Sequence, residues 1–250
     1  MTRFTDQCVV VTGGASGIGR ATATRIAAEG GRVAILDVAD LGGSSTVSDI
    51  ERNGGSSIAI ECDVADADAV PRSIAAAVEW GGRLDALVNC AGTGFHRRVQ
   101  DTSRSELERV MAVNFTGSFA TCQAALGALG ETQGSIVNVA SAAALRGSAY
   151  LTAYSASKGA MVAFTKSLAV EIGETGVRAN CVCPGGVDTP LLRLFAPPED
   201  ANEVLLGRSA GVTGRMSTPE EIAASIAFLA SNEASQITGA VLVVDGGSIA

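Results

Sequence analysis

Two spacings of apolar residues alternate along this chain. Short aliphatic runs at Cys8 to Val11, Val33 to Asp37, Ser57 to Cys62, Leu84 to Asn89, Ser135 to Ala140 and Ala240 to Asp245 predict strands, and Cys181 and Cys183 alternate across a strand-like segment. The stretches between them carry apolar residues at helical spacing. One alanine-rich helix runs to about Glu29, a second, with polar breaks, to about Asn53, and a third covers Ala67 to Trp80. Ser105 to Leu129 reads as one long helix started by Ser105-Glu106, with Leu107, Val110, Met111, Phe115 and Ser118 facing inward. The next helix ends near Gly173 and shows Met161, Phe164, Leu168 and Ile172 on one face. Thr218 caps another whose first residue is Pro219. Such regular alternation implies an α/β fold: a doubly wound parallel sheet whose sites form at the carboxyl ends of its strands.

The turn after the first strand is glycine-rich: Thr12-Gly13-Gly14-Ala15-Ser16-Gly17-Ile18-Gly19-Arg20. Strand, glycine turn and helix in that order suit a dinucleotide, because the backbone turns tightly and the helix N-terminus receives the pyrophosphate. The second strand ends at Asp37, 18 residues after Gly19. A carboxylate there accepts hydrogen bonds from the adenosine ribose hydroxyls and repels a 2′-phosphate, and Val38 and Ser16 supply no base to greet that phosphate. NAD is therefore expected in preference to NADP. The fourth strand ends in Asn89-Cys90-Ala91-Gly92, small residues against which a nucleotide can lie.

Composition narrows the field. With 250 residues and 47% hydrophobic content, one domain with a full-sized core is expected over 1–250. Met1 to Gln7 is polar and no apolar run is long enough to span a bilayer, so a soluble, cytoplasmic protein is expected. A net charge of −8 argues against nucleic acid as a partner. Six scattered cysteines without a Cys-x-x-Cys pair and a single histidine, His96, argue against a metal site.

Tyr154 and Lys158 stand four residues apart, so a phenol and an ammonium share one helix face. The pair is a base in waiting if the cation favours loss of the phenolic proton, which otherwise leaves only near pH 10; it is also a common pattern on solvated helices. Ser141 closes the fifth strand, and the small residues and Gly147-Ser148 between it and Tyr154 suit a loop that doubles back, bringing both hydroxyls to one substrate oxygen. Asn114, a poor helix former in mid-helix, implies either a specific polar task or a bond to a neighbouring loop.

Together Thr12-Gly13-x-x-x-Gly17-x-Gly19, Asn89-x-Ala91-Gly92, Asn114, Ser141, Tyr154-x-x-x-Lys158 and Pro184-Gly185 resemble the short-chain dehydrogenase/reductase family in its branch of roughly 250 residues. The resemblance implies a Rossmann-type sheet with helices on both faces, and a hydride transfer between a nicotinamide and a secondary alcohol or ketone. It implies Tyr154 as acid/base, Lys158 on the nicotinamide ribose and lowering the Tyr154 pKa, Ser141 on the reacting oxygen, and Asn114 positioning a water. For the cofactor it implies Gly13, Ser16, Gly17, Ile18 and Gly19 at the phosphates, Asp37 at the ribose, and Asp63 with Val64 at the adenine. Asn89, Ala91 and Gly92 would line its path, with Pro184, Gly185, Val187 and Thr189 at the carboxamide end. It also implies a homotetramer. Cys90 stands where the family often has a second Asn.

From Thr189 to Gly214 the regular alternation stops, and a mixed apolar insertion over about 189–214 suits a substrate lid whose leucines and Phe195 imply a partly apolar substrate. Arg193 and Arg208 either meet an anionic group or are solvated. Phe95-His96-Arg97-Arg98 is either a seat for a substrate carboxylate or a solvated loop. Two other functions compete: reduction of a 3-oxoacyl thioester on an acyl carrier protein, which Asp37 and the acidic balance disfavour, and a non-catalytic NAD-binding redox sensor, which has no need of Ser141, Tyr154 and Lys158.

Overall fold

Successive side chains of a strand leave on opposite faces, so a run that is apolar at every position needs cover on both sides. The computed structural model, which describes residues 2–38, 45–207 and 211–250, supplies that cover. Strands β1 (Cys8–Thr12), β2 (Arg32–Asp37), β3 (Ser56–Glu61), β4 (Ala86–Asn89), β5 (Ser135–Val139), β6 (Arg178–Pro184) and β7 (Val241–Val244) form a sheet in the order β3-β2-β1-β4-β5-β6-β7. All neighbouring strands are parallel. The helices are α1 (Gly17–Ala28), α2 (Ser45–Arg52), α3 (Ala69–Gly81), α4 (Arg104–Met111), α5 (Gly117–Thr132), α6 (Thr152–Glu171), α7 (Glu203–Gly207) and α8 (Pro219–Ala230).

Val9 and Val11 of β1 pack on one face with Ala23 and Ile26 of α1 and Ile222 and Ile226 of α8. Val10 between them turns to the other face, among Ile74 of α3, Leu129 of α5 and Leu168 of α6. The fold is therefore a Rossmann-like, doubly wound α/β sheet. Its strand order reverses between β1 and β4, and a crevice opens there at the strands' carboxyl ends.

The long helix expected over Ser105 to Leu129 departs from its pattern in two places. Its cap is Ser103, whose hydroxyl accepts from the Glu106 N–H while the Glu106 carboxylate accepts from the Ser103 N–H. Leu107 lies on the solvent side and is 40% exposed, against the expectation that it faces inward. The helix is also broken into α4 and α5 by a π turn at Ala112–Thr116, a rare feature that concentrates at functional sites. Asn114 sits inside it, fully buried.

The insertion after β6 folds as a 3₁₀ turn, Pro190–Leu194, followed by the short α7. Arg208 lies outside the described residues. Among those described, no helix is long and apolar enough to cross a membrane.

Candidate active site

The glycine turn is shaped by contacts that tolerate no side chain. Gly13 and Gly17 hold φ of +66° and +51°, and a Cβ on Gly19 would lie 2.1 Å from the Gly13 carbonyl oxygen. A Cβ on Gly13 would stand 2.8 Å from the Ala91 backbone, so the turns after β1 and β4 press together. Thr12 fixes that approach: its Oγ1 accepts from the N–H groups of Cys90 (3.2 Å) and Ala91 (3.1 Å). Ser16, at the N-cap of α1, makes no side-chain cap. The first N–H groups of α1 thus face a cleft of about 340 Å³ with no hydroxyl closing them.

Gly13, Ser16, Gly17, Ile18, Gly19, Asp37, Asp63, Val64, Ala91, Gly92 and Thr189 all line this cleft. Asp37 accepts from the Ala15 N–H at 3.0 Å, which holds its carboxylate against the glycine turn. A cleft of this shape, with donors at a helix start and an acid at the neighbouring strand end, fits a dinucleotide. Asn89 is not brought there. Its side chain is buried below the crevice, donating to Asn138 Oδ1 (2.9 Å) and accepting from Thr121 Oγ1 (2.7 Å). A residue at the last position of a strand points to one face or the other, and here that face is the interior between β4, β5 and α5; its task is to tie those elements.

A second cleft of about 430 Å³ adjoins the first and shares Ile18, Cys90, Gly92, Thr189 and Leu191 with it. Ser141, Tyr154, Lys158, Pro184, Gly185 and Val187 line it. Ser141 caps the 3₁₀ turn Ala142–Ala144, its Oγ accepting from the Ala143 N–H at 3.1 Å. It also hydrogen-bonds the Tyr154 side chain, so the two hydroxyls do meet, as a doubled-back loop requires. Lys158 donates to the Val139 carbonyl at 2.8 Å, with its Nζ 5.9 Å from the centre of the Tyr154 ring.

Burial dominates the electrostatics of this pair. It pushes the Tyr154 phenol up to about 12, partly offset by the Ser141 hydrogen bond, and the Lys158 ammonium down to about 8. Among the protein's own groups desolvation outweighs a cation held nearly 6 Å from the ring, so the acidification expected of Lys158 needs a cationic cofactor beside it.

Asn114 lines neither cleft. Its Oδ1 accepts from the Thr93 N–H (2.8 Å), and its Nδ2 donates to the Thr93 carbonyl (2.9 Å) and to Ser157 Oγ (2.9 Å). Its side chain therefore staples the turn after β4 to α6. A Cβ placed on Gly92 would be 3.5 Å from both Asn114 Oδ1 and Lys158 Nζ, so Asn114 stands directly behind the lysine. Cys90 faces both clefts as a thiol pushed up to about 12 by burial, a small hydrophobe without nucleophilic character.

Sequence reasoning placed Phe195 only in the lid and missed Arg109 and Tyr150, the last of which braces loops beside the second cleft without lining it. Arg109, on α4, lines the first cleft with its guanidinium 3.4 Å from Asp63. Phe195 stands edge-on to Tyr154 with ring centres 5.2 Å apart. Tyr150, at φ +63°, receives the Arg97 N–H on its carbonyl and the Asn202 N–H on its hydroxyl. The only local signal was the small-residue loop around Tyr150; the other two are pairings across distant parts of the chain. Of the basic cluster, only His96 lines the substrate side. Arg97 pairs with Glu106, and Arg98 pairs with Asp200 and lies over the Tyr150 ring. Arg193 is exposed and lines neither cleft.

Comparison with known proteins agrees with this geometry. The family model described as Enoyl-(Acyl carrier protein) reductase matches residues 13–248. The Short-chain reductase protein NovJ of Streptomyces niveus is 41% identical over 97% of this chain and 94% of its own. The 2-(S)-hydroxypropyl-CoM dehydrogenase 3 of Xanthobacter autotrophicus is 37% identical over 99% and 98%. A short chain dehydrogenase from Mycobacterium paratuberculosis, solved bound to NAD, superposes with a TM-score of 0.91 at 29% identity, covering 98% of both chains. One from Burkholderia cenocepacia J2315, solved with NADP, gives 0.90 at 34%, covering 99% of this chain and all of that one. With a glycine-turned crevice, a joined Ser141–Tyr154–Lys158 cluster and relatives matched along nearly its whole length, the chain belongs to the short-chain dehydrogenase/reductase family of oxidoreductases.

Proposed function

We propose that this protein is an NAD(H)-dependent oxidoreductase that interconverts a secondary alcohol and its ketone, with Tyr154 as the acid/base. The observation that carries the reading is the convergence of Ser141, Tyr154 and Lys158 in the second cleft, which adjoins the first. A dinucleotide reaching from the first cleft into the second would supply the hydride chemistry through its nicotinamide and, when oxidised, a positive charge beside the phenol.

Tyr154 takes the carbinol proton or returns one to the ketone. Ser141 donates to the same oxygen and steadies its developing charge, its own position set by the Ala143 N–H. Lys158, held from behind by the Val139 carbonyl, presents its ammonium to the cofactor side of Tyr154. Asn114 keeps the Thr93 turn against α6, so that Gly92 stays close to the lysine. Gly13, Ser16, Gly17, Ile18 and Gly19 hold the phosphates, Asp37 the ribose, and Asp63 with Val64 the adenine. Ala91 and Gly92 line the path, and Pro184, Gly185, Val187 and Thr189 seat the carboxamide end. Solved relatives hold NAD in one case and NADP in another, so the preference for NAD rests on Asp37.

We read residues 1–250 as one domain with a substrate lid at about 189–214, acting in the cytoplasm as a homotetramer; light scattering of the purified protein tests the assembly. Acyl-thioester reduction is the second reading, supported by the description of the matching family model. Tyr154→Phe tests the main one: loss of roughly 10³-fold in kcat is expected from removal of a general acid/base, with NADH binding by fluorescence titration largely intact. Retention of more than about a few per cent of kcat rejects Tyr154 as the proton carrier.

A further inference from the structure

The mechanism leaves the single histidine unused, although it stands in the substrate cleft. His96 Nδ1 lies 2.9 Å from the Phe195 carbonyl oxygen. A carbonyl only accepts, so Nδ1 carries the proton. The imidazole is then fixed as the Nδ1–H tautomer, and its Nε2 keeps a lone pair that receives no protein hydrogen bond among the described residues. The ring is held edge-on to Phe195, centres 5.5 Å apart, and Phe195 in turn packs on Tyr154. Desolvation lowers the His96 pKa from its ordinary value and so keeps the ring neutral.

Beside it runs the loop that carries Ser148, joined to the His96 loop by the Arg97 N–H donating to the Tyr150 carbonyl at 2.7 Å. Ser148 also lines the cleft, and its Oγ is buried with no hydrogen-bond partner. A buried hydroxyl without a partner costs stability unless a ligand meets it. The lid across from them is apolar, with Leu191, Leu192, Phe195, Leu205 and Leu206.

We propose that His96 and Ser148 form a subsite for a second hydroxyl on the substrate, so that the substrate class is a diol or hydroxyketone. This deepens the alcohol dehydrogenase reading above and rests on it. Nε2 accepts from that hydroxyl and Ser148 Oγ donates to it or accepts from it. A carboxylate fits less well, because it would face the Nε2 lone pair, while Arg97 and Arg98 are spent on Glu106 and Asp200. Arg146 and Lys158 are the cations that do line this cleft, and the Arg146 guanidinium donates to the Ser248 carbonyl at 2.8 Å. A hydroxy acid is therefore the rival ligand.

The test is NADH formation by the full-length protein with 2,3-butanediol, 2,4-pentanediol, 2-butanol, 2-pentanol and 3-hydroxybutyrate. The expected result is a kcat/KM at least about tenfold higher for one diol than for the mono-alcohol of equal chain length. His96→Asn keeps a donor for the Phe195 carbonyl but withdraws the acceptor from the Nε2 position, and it should lower that diol-to-mono-alcohol ratio by about tenfold. His96→Gln, whose longer amide reaches the Nε2 position, should restore part of the ratio. Ser148→Ala should lower it as well. A residue that only braces the lid would lose both substrates in proportion and leave the ratio where it was, which overturns the subsite. So does a mono-alcohol used as well as its diol, or 3-hydroxybutyrate used best. Absence of NADH formation with every compound overturns the dehydrogenase reading itself and takes the subsite with it.

Discussion

Lys158 points its Nζ at the Val139 carbonyl, 2.8 Å away, and not at the phenol of Tyr154, whose ring centre is 5.9 Å off. The ammonium is thus stored beside the phenol by a strand carbonyl, buried at 4% exposure. Burial lowers it to about 8 from 10.5. Between those two values the unfolded chain binds the proton and the folded one does not, so stability rises with pH there, and it is lost again as pH falls through about 8. Tyr154, raised to about 12 from 10, acts in the opposite sense and only above pH 10. Denaturant unfolding of wild type against Lys158→Met should therefore show the wild type gaining about 2 kcal/mol relative to the variant from pH 8 to pH 10. A pH-independent difference would mean that the ammonium is not desolvated.

Asn114 is saturated by the Thr93 backbone and by Ser157, whose own hydroxyl donates to the Tyr154 carbonyl at 2.7 Å. Asn114→Ala leaves the part-buried N–H and C=O of Thr93 without their partner and loosens the first turn of α6. The expected cost is about 2–4 kcal/mol, a fall in Tm on the order of 10 °C for a chain of this size. Calorimetry checks it. If Tm is unchanged while kcat falls, the side chain acts on chemistry and not on the turn.

Gly19→Ala puts a methyl 2.1 Å from the Gly13 carbonyl oxygen, a backbone atom that cannot swing aside as a side chain would. Either the glycine turn or the start of α1 must move, and both shape the phosphate end of the first cleft. NADH affinity should drop at least about tenfold, with a cost of about 2 kcal/mol or more in stability. Fluorescence titration and thermal unfolding report the two losses separately. Gly54→Ala is the control: its φ is positive, at +77°, and nothing lies within 4 Å of the added methyl, so it should cost stability without touching NADH binding.

Much of this could be read from the chain because it is local. The aliphatic runs gave the strands, and their alternation with helices gave the parallel sheet; the glycine spacing placed the first cleft, and Tyr154 with Lys158 needed only the helical repeat to share a face. What escaped depends on tertiary choices. Asn89 ends its strand inside the cleft motif, yet strand parity sends its side chain to Asn138 and Thr121. Leu107 has core spacing, yet tertiary packing leaves it 40% exposed. Phe195 and Tyr154 are 41 residues apart in the chain, and Gly94 lets them meet, since a Cβ there would come within 2.6 Å of Phe195 and 2.7 Å of Tyr154. The downward shift expected for Tyr154 was argued from charge; burial, which no spacing reveals, works against it in the protein by itself.

Asp37 should decide which nicotinamide dinucleotide is used. Its carboxylate is pinned by the Ala15 N–H at 3.0 Å, so it cannot turn away from the cleft without giving up that bond. A 2′-phosphate bringing even one negative charge to about 5 Å from it, at an effective dielectric of 20, meets roughly 3 kcal/mol of repulsion. That corresponds to about 100-fold or more in relative kcat/KM for NAD over NADP. Asp37→Ser removes the charge and leaves a hydroxyl able to bond the ribose, so NAD use should fall only modestly while the NAD/NADP ratio drops at least about tenfold. Parallel assays with the two cofactors measure it. An unchanged ratio would move the discrimination elsewhere in the cleft, and the Arg109–Asp63 pair, 3.4 Å apart on its rim, would be the next place to substitute.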